Sequence, residues 1–426
     1  MEQKKDFITY GSVKTNKLWN RDFFLLWQGQ FISSAGDVIY AIAIGFWILE
    51  ITGSTALMGT LMAASLLPKI MASPFAGVVV DRYDRKRLII AMDVVRGVMI
   101  GLITLAAFSG LLKVWMLFTV GIIVGICSAF FNPAVSSSIP DIVGKKMIIK
   151  ANSALGAIQQ ASGIVGNSLG GFLYAFLGAP IMFLLNGFSF LFSAGTEVFI
   201  RIPQIQRQSG KIPPFLKEMK GGIKFVWNFN ALRNILLVTS ILNFFGSVVY
   251  VLLLPLCKQF VHLGPKSYGI IMASFTAGIL AGMMLTSFVN LKPSRRFQIL
   301  YPASLLFALA LVLMPVLLSV PAMASLIFLS GFCSAIVNIF INSTIQIVIP
   351  QEMRGKVFSL LATLTGSLIP LAYVTGGILA EFLTLRPLIS ATSIIMGLTF
   401  VPVGFMPKVK AFVNFDSETD TLESIR

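Results

Sequence analysis

The chain has 426 residues, of which 56% are hydrophobic and only 12% charged, with a formal net charge of +16 and a mean hydropathy of +0.86. A soluble globule carries roughly a quarter charged residues, so this composition excludes one and requires a membrane. Three cysteines and a single histidine, His262, do not make a disulfide framework, a metal site or a histidine proton relay.

A helix crossing a hydrocarbon core about 30 Å thick takes about 20 apolar residues. Windowed hydropathy predicts twelve such spans, at 22–49, 56–80, 88–110, 114–137, 150–176, 181–202, 233–257, 267–290, 297–318, 321–347, 355–382 and 386–407. Residues 1–21 are polar and charged, so no cleavable leader is expected there. The longest polar break, 201–224, divides the spans six and six. The expected organisation is a cytoplasmic segment 1–21, a six-helix bundle 22–202, a linker 203–232, a second six-helix bundle 233–407 and a disordered cytoplasmic tail 408–426. Residues 215–220, FLKEMK, mix apolar and basic side chains and predict a short helix lying on the membrane surface.

On this alternating topology, 27 of the 33 lysines and arginines fall on one side. Only Lys113, Lys258, Lys266 and Arg386 fall on the other, with Lys69 and Arg96 inside spans. The positive-inside rule makes the first side cytoplasmic. Both termini are then expected in the cytoplasm of a cell whose inner (plasma) membrane holds the chain. Basic charge so placed serves topology and anionic lipid headgroups, not nucleic acid.

The two halves repeat. Shifting the sequence by 206 brings GICSA at 125–129 onto GFCSA at 331–335, Asn132 onto Asn338, and Gly170 and Gly171 onto Gly376 and Gly377. A shift of 210 pairs Gly59 with Gly269 and Arg85 with Arg295. Two parallel repeats about an axis along the membrane normal are one way to build a transporter.

Charges inside spans are costly and are functional candidates by default. Asp37 lies about 22 Å into span 1 and Lys69 about 18 Å into span 2 from the same face, at 1.5 Å per residue. They are candidates for proton coupling, through a carboxylate alternating between a lysine and a proton, or for a permanent ion pair. Between spans 2 and 3, residues 77–87 read GVVVDRYDRKR. Gly77, Asp81, Arg82, Asp84, Arg85 and Lys86 belong to a short loop at the cytoplasmic face. Asp93 and Arg96, one turn apart near the start of span 3, are expected to join that loop in a charge network that latches the cytoplasmic side. Positive-inside anchoring alone would explain the bases but not the acids. The matching loop of the second half, NLKPSRR at 290–296, keeps bases and lacks acids.

Span 5 holds SGIVGNSLGG, with Gly166, Asn167, Gly170 and Gly171 at spacings that permit close helix approach. Glu197 and Arg201 read as an interfacial pair, and Glu50 and Glu381 as solvated outer helix ends. Gln159, Asn243, Asn338 and Asn342 are amides within spans, expected with Phe244 and Tyr250 to line a central cavity. A cavity poor in charge suits a bulky lipophilic compound better than a sugar or phosphorylated solute. No G-x-x-x-x-G-K-[ST] phosphate loop occurs, so an ATP-driven pump or other enzyme is not expected, and no cofactor is implied.

Three motifs carry a family resemblance. The G-x-x-x-D-R-x-D-R-K-R loop resembles the one joining helices 2 and 3 of major facilitator transporters. G-N-x-x-G-G at 166–171 is similar to the G-P-x-x-G-G of drug antiporters, with Asn167 in place of the proline. N-R-D-F at 20–23, L-W-x-G-Q at 26–30 and S-x-x-G-D, here Ser34–Asp37 with a shortened spacing, resemble the macrolide-efflux and enterobactin-exporter branch of drug:proton antiporters, as do DVVRG at 93–97 and MRGKVFS at 353–359. The resemblance implies an all-α integral membrane protein of twelve transmembrane helices in two pseudo-symmetric bundles. It also implies monomeric, proton-driven export of macrolide-like compounds, with substrate, protons and lipids as the partners. Span 4 lacks the arginine that many such antiporters carry, which leaves Asp37 as the candidate for the proton route. Alternatives on the same fold are a lipid or lysolipid flippase and a siderophore exporter; a non-transporting sensor is the reading from another class.

Overall fold

The structure, a computed structural model, describes residues 17–144, 147–202, 226–259, 264–289, 292–317, 319–349 and 351–416. Among these it is helical: α1 (Arg21–Thr52), α2 (Thr55–Arg82), α3 (Arg85–Phe108), α4 (Val114–Ile142), α5 (Ile148–Val198), α6 (Asn230–Gln259), α7 (Gly264–Phe288), α8 (Arg296–Leu313), α9 (Val320–Val348), α10 (Gln351–Phe382), α11 (Leu385–Phe400) and α12 (Pro407–Val413). Eleven helical stretches are long and apolar enough to cross a membrane. At 51 residues, α5 would reach about 76 Å, more than twice a hydrocarbon core. It is broken at Gly178, whose φ of 70° and ψ of 174° leave the helix, with Pro180 just beyond. Its two legs make the twelfth pass. The predicted surface helix at 215–220 and His262 lie outside the described residues.

Local signals set the helix ends. Asn20 caps α1 by accepting from Phe23 N at 2.9 Å, and its amide donates to Ile142 O at 3.0 Å. Gly53, with φ of 67°, closes α1 in the left-handed region that glycine favours. Asp84 caps α3 through Arg87 N at 3.1 Å.

The expected disordered tail is corrected at its start. Residues 407–413 form α12, and Val409, Phe412, Val413 and Phe415 are buried against the second bundle. The acids at 416–423 dominated the compositional reading, and this apolar spacing just before them decides the structure.

In the first bundle α1 packs on both legs of α5, α3 on α4 and α5, and α2 on α4. In the second, α7 and α8 pack on α9, and α6 and α8 on α11. Outward-facing Phe75, Leu105, Phe176 and Phe288 are exposed, as lipid contact requires. Two seams join the bundles, α2 against α10 and α5 against α7. Both lie at the face opposite the basic loops, called here the far face. A Cβ on Gly59 would meet the Tyr373 carbonyl and come within 3.2 Å of Gly377 Cα, while one on Gly171 would come within 2.7 Å of Gly269 Cα. The sequence shifts map Gly59 onto Gly269 and Gly171 onto Gly377, so the two seams are copies of one contact.

Candidate functional site

The ionisable groups buried in the first bundle converge. Asp93 and Arg96 on α3 form an ion pair and are essentially inaccessible. The Arg96 guanidinium lies between the rings of Phe131 on α4 and Phe190 on α5, at 4.1 and 4.3 Å from their centroids. Such cation–π contacts strengthen when desolvated. Glu197, also buried, accepts from Ser193 Oγ at 3.3 Å. Asp37 on α1 is half-buried and in the field of Arg96 more than of Lys69.

This arrangement alters three expectations. Asp37 and Lys69 form no ion pair among the described residues; Arg96 is the nearer electrostatic partner. Asp93 and Arg96, expected in the loop network, find partners within the bundle, toward which their shared face of α3 turns. Glu197 does not pair with Arg201, whose backbone N–H donates instead to Asp22 Oδ1 at 3.1 Å.

Small residues allow this convergence. A Cβ on Gly29 would meet Ser193 Oγ at 2.9 Å, and one on Gly36 would meet Asn186 Oδ1 and Ser189 Oγ at 2.5 Å. Trp27 Nε1 donates to Ala154 O at 3.2 Å. The W-x-G-Q and G-D elements of span 1 are therefore the surface by which α1 docks on the two legs of α5.

At the basic face, the contacts of Arg85 and Lys86 run to first-bundle helices. Arg85 pairs with Asp141 at 2.8 Å and donates to Ser137 O at 2.9 Å, joining α3 to α4. Lys86 Nζ donates to Val198 O at 2.7 Å. Arg82 is exposed. Gly77 and Asp81 fall in the last turns of α2, their side chains outside the described set. Among the described residues no ion pair crosses between bundles here.

The second bundle encloses a cavity of about 660 Å³, within the range of small-molecule sites. Thr239, Asn243, Ser247 and Tyr250 line it from α6, and Ser330, Ser334, Asn338 and Asn342 from α9. Those four α9 residues, each four apart, form one polar stripe. Met272, Phe275, Phe307, Leu311 and Ile327 complete an apolar wall, and among the described residues no acid or base enters the lining. The amides of Asn243, Asn338 and Asn342 each donate back to their own helix at 2.8 to 2.9 Å. Of the six residues expected here, Phe244 and Gln159 do not line it. Phe244 is turned from Asn243 by one residue of helix and packs edge-on against Phe245 at 5.3 Å; Gln159 is exposed on α5, in the other bundle.

The far face is closed by polar contacts as well as by the seams. Glu381, expected to be simply solvated, accepts from Ser54 Oγ and Thr55 Oγ1 and from the backbone N–H groups of Thr55 and Ala56, at 3.0 to 3.3 Å. A side chain of α10 thus caps α2 from the opposite bundle. Lys258 Nζ on α6 donates to Leu49 O on α1. In the glycine motif, Gly166 and Gly170 abut Val38 and Ile42 of α1, and Gly171 makes the α5–α7 seam. Asn167 accepts from the Tyr250 hydroxyl at 3.3 Å. Spacing offered no signal for Phe131, Phe190, Tyr268 and Tyr373, which read as ordinary aromatic packing.

The sequence model of the transmembrane secretion effectors matches residues 15–421. The chain belongs to that family. It is a multi-pass major facilitator transporter, and not an enzyme. It is 27% identical over 371 residues to macrolide efflux protein A of Streptococcus pyogenes, covering 85% of this chain and 89% of the relative. It is 24% identical to the multidrug efflux pump Tap of Mycolicibacterium fortuitum, covering 89% and 94%. A bacterial homologue of the iron transporter ferroportin, in an inward-facing state, superposes with a TM-score of 0.65 at 18% identity, covering 90% of this chain and 98% of that one. A bacterial homologue of the lysosomal transporter Spinster, inward-facing and unoccupied, gives 0.61 at 16% identity, covering 92% and 95%.

Proposed function

We propose that this transporter exports bulky lipophilic compounds of the macrolide type in exchange for protons, by alternating access, with its basic face in the cytoplasm. The observation that carries the reading is the cavity of the second bundle, which offers amides, hydroxyls and apolar walls without a charge. A large, sparingly polar molecule satisfies such walls; a phosphorylated or strongly ionic solute leaves its charge desolvated. The efflux relatives support the same class of cargo.

Protons are handled in the other bundle. Asp37 is the least enclosed carboxylate of the group it forms with Asp93 and Glu197, and it takes and releases the coupling proton. Arg96 supplies from α3 the positive charge that α4 lacks, and Lys69 adds a second, more distant one. With the far face sealed by both seams, this conformation is the one that loads from the cytoplasm. The acid-bearing loop of 77–87 engages the second bundle when the transporter turns outward.

Inverted membrane vesicles test the reading. Uptake of a radiolabelled macrolide is expected when a pH gradient, acid inside, is imposed, and is expected to stop when the gradient is collapsed. Uptake indifferent to the gradient would overturn proton coupling, and none above vesicles lacking the protein would overturn the cargo.

A further inference from the structure

Tyr250 is the point where the cavity meets the far-face closure. Its ring lines the cavity, and its hydroxyl donates to Asn167 Oδ1 of the opposite bundle at 3.3 Å. Asn167 lies one helical turn before Gly171, the α5 glycine whose Cβ position meets Gly269 in the α5–α7 seam. Tyr373 stacks on Tyr250 with ring centroids 6.4 Å apart, and the Tyr373 carbonyl is the atom against Gly59 in the α2–α10 seam. One side chain therefore touches the cavity, the aromatic support of the α2–α10 seam, and an acceptor one turn from the α5–α7 seam.

We propose that Tyr250 is a positioning residue that reports cavity occupancy to the far face: a bound molecule competes for its hydroxyl, the bond to Asn167 breaks, and both seams loosen. The inference rests on the alternating-access reading above. The ligand chemistry it requires is a hydrogen-bond acceptor on an otherwise apolar body, placed beneath the far-face seal. The identity of residue 167 then has a physical sense. The proline found there in drug antiporters offers no side-chain acceptor to a tyrosine, and Asn167 does. Removing the bond removes a constraint specific to the closed far face, because Asn167 and Tyr250 sit on different bundles and part when it opens.

The test is a distance distribution between spin labels at Leu111→Cys and Leu383→Cys, exposed far-face loop positions on the two bundles, with the three native cysteines replaced and the full chain in nanodiscs. Tyr250→Phe keeps the ring stack and loses the hydroxyl; Asn167→Ala removes the acceptor. Without any ligand, each is expected to raise the long-distance population about fivefold, the effect of one lost hydrogen bond. The double variant is expected to add nothing further, since both remove the same bond. A macrolide is expected to shift the wild type and to have little left to shift in either variant. Ligand-free distributions matching wild type would overturn the inference, as would a double variant whose effect is the sum of the two. Shifted variants beside a wild type indifferent to macrolide would support the Tyr250 bond and overturn the macrolide cargo instead.

Discussion

Gly59 of α2 lies against Gly377 of α10, and the same contact recurs between Gly269 of α7 and Gly171 of α5. Glycine is required at Gly59, Gly377 and Gly171 because the opposing atoms are backbone, which cannot move aside as a flexible side chain can; at Gly269 the nearest atoms belong to the Phe172 ring, at 3.0 Å. In the proposed alternating-access cycle the contact is also directional, because it belongs to the state with the far face closed.

Gly59→Val and Gly171→Val are therefore expected to hold the far face open rather than to unfold the protein outright. Overpacking costs about 1–3 kcal/mol, charged here against one conformation. A modest loss of thermal stability should accompany a clear gain in far-face distances between labels at 111 and 383. Gly156, with nothing near its Cβ position, is the control, and its alanine variant should behave as wild type.

Arg96→Ala leaves Asp93 and Glu197 buried without their cation. Loss of one partner of a buried pair costs about 3–5 kcal/mol, so this variant should melt far below wild type in detergent. Asp93→Asn with Arg96→Gln should recover most of the loss, because neither charge remains. Phe131→Leu, which removes one face of the guanidinium sandwich, should cost about 0.5–2 kcal/mol.

Glu381→Ala removes an acceptor from the first turn of α2. A lost cap costs about 1 kcal/mol, and 1.4 kcal/mol is a factor of ten in an opening equilibrium. Hydrogen exchange of the amides at 55–58 should accelerate about fivefold, with peptides of α3 unchanged. Equal exchange in both proteins would remove Glu381 from the closure.

Asn243→Leu and Asn338→Leu should each weaken macrolide binding about fivefold, as expected for one hydrogen bond. Gln159→Ala and Phe244→Leu should leave affinity where it is, since neither side chain reaches the cavity. Equilibrium binding to the purified protein separates these outcomes.

The sequence made the spans, the polar break between bundles and the repeat legible, because hydropathy and glycine spacing are local properties. The repeat went further: it paired Gly59 with Gly269 and Gly171 with Gly377, and those residues turned out to build the equivalent seams. Asp37 stands out as a charge in an apolar helix and Asn167 as a replacement for proline, and Asn167 finds its partner in Tyr250, which reads from sequence as cavity wall. What spacing cannot carry is which distant helix supplies the partner. Arg96 was grouped with the nearby loop by proximity along the chain, but its surroundings come from Phe131 and Phe190. Glu381 looked like a helix end in water, whereas its ligands are the first amides of a helix more than 300 residues earlier. Phe244 and Asn243 are adjacent in sequence, and one residue of helical rotation separates packing from cavity lining.

The central claim is that drug and proton move in opposite directions through a step at Asp37. Purified protein in proteoliposomes, loaded with macrolide and a pH-sensitive dye and diluted into drug-free buffer, reads both fluxes at once. Wild type should acidify the lumen as the drug leaves, beyond protein-free vesicles, and Asp37→Asn should abolish that acidification. Drug leaving wild-type vesicles with no proton movement, or acidification undiminished in Asp37→Asn, would contradict the account.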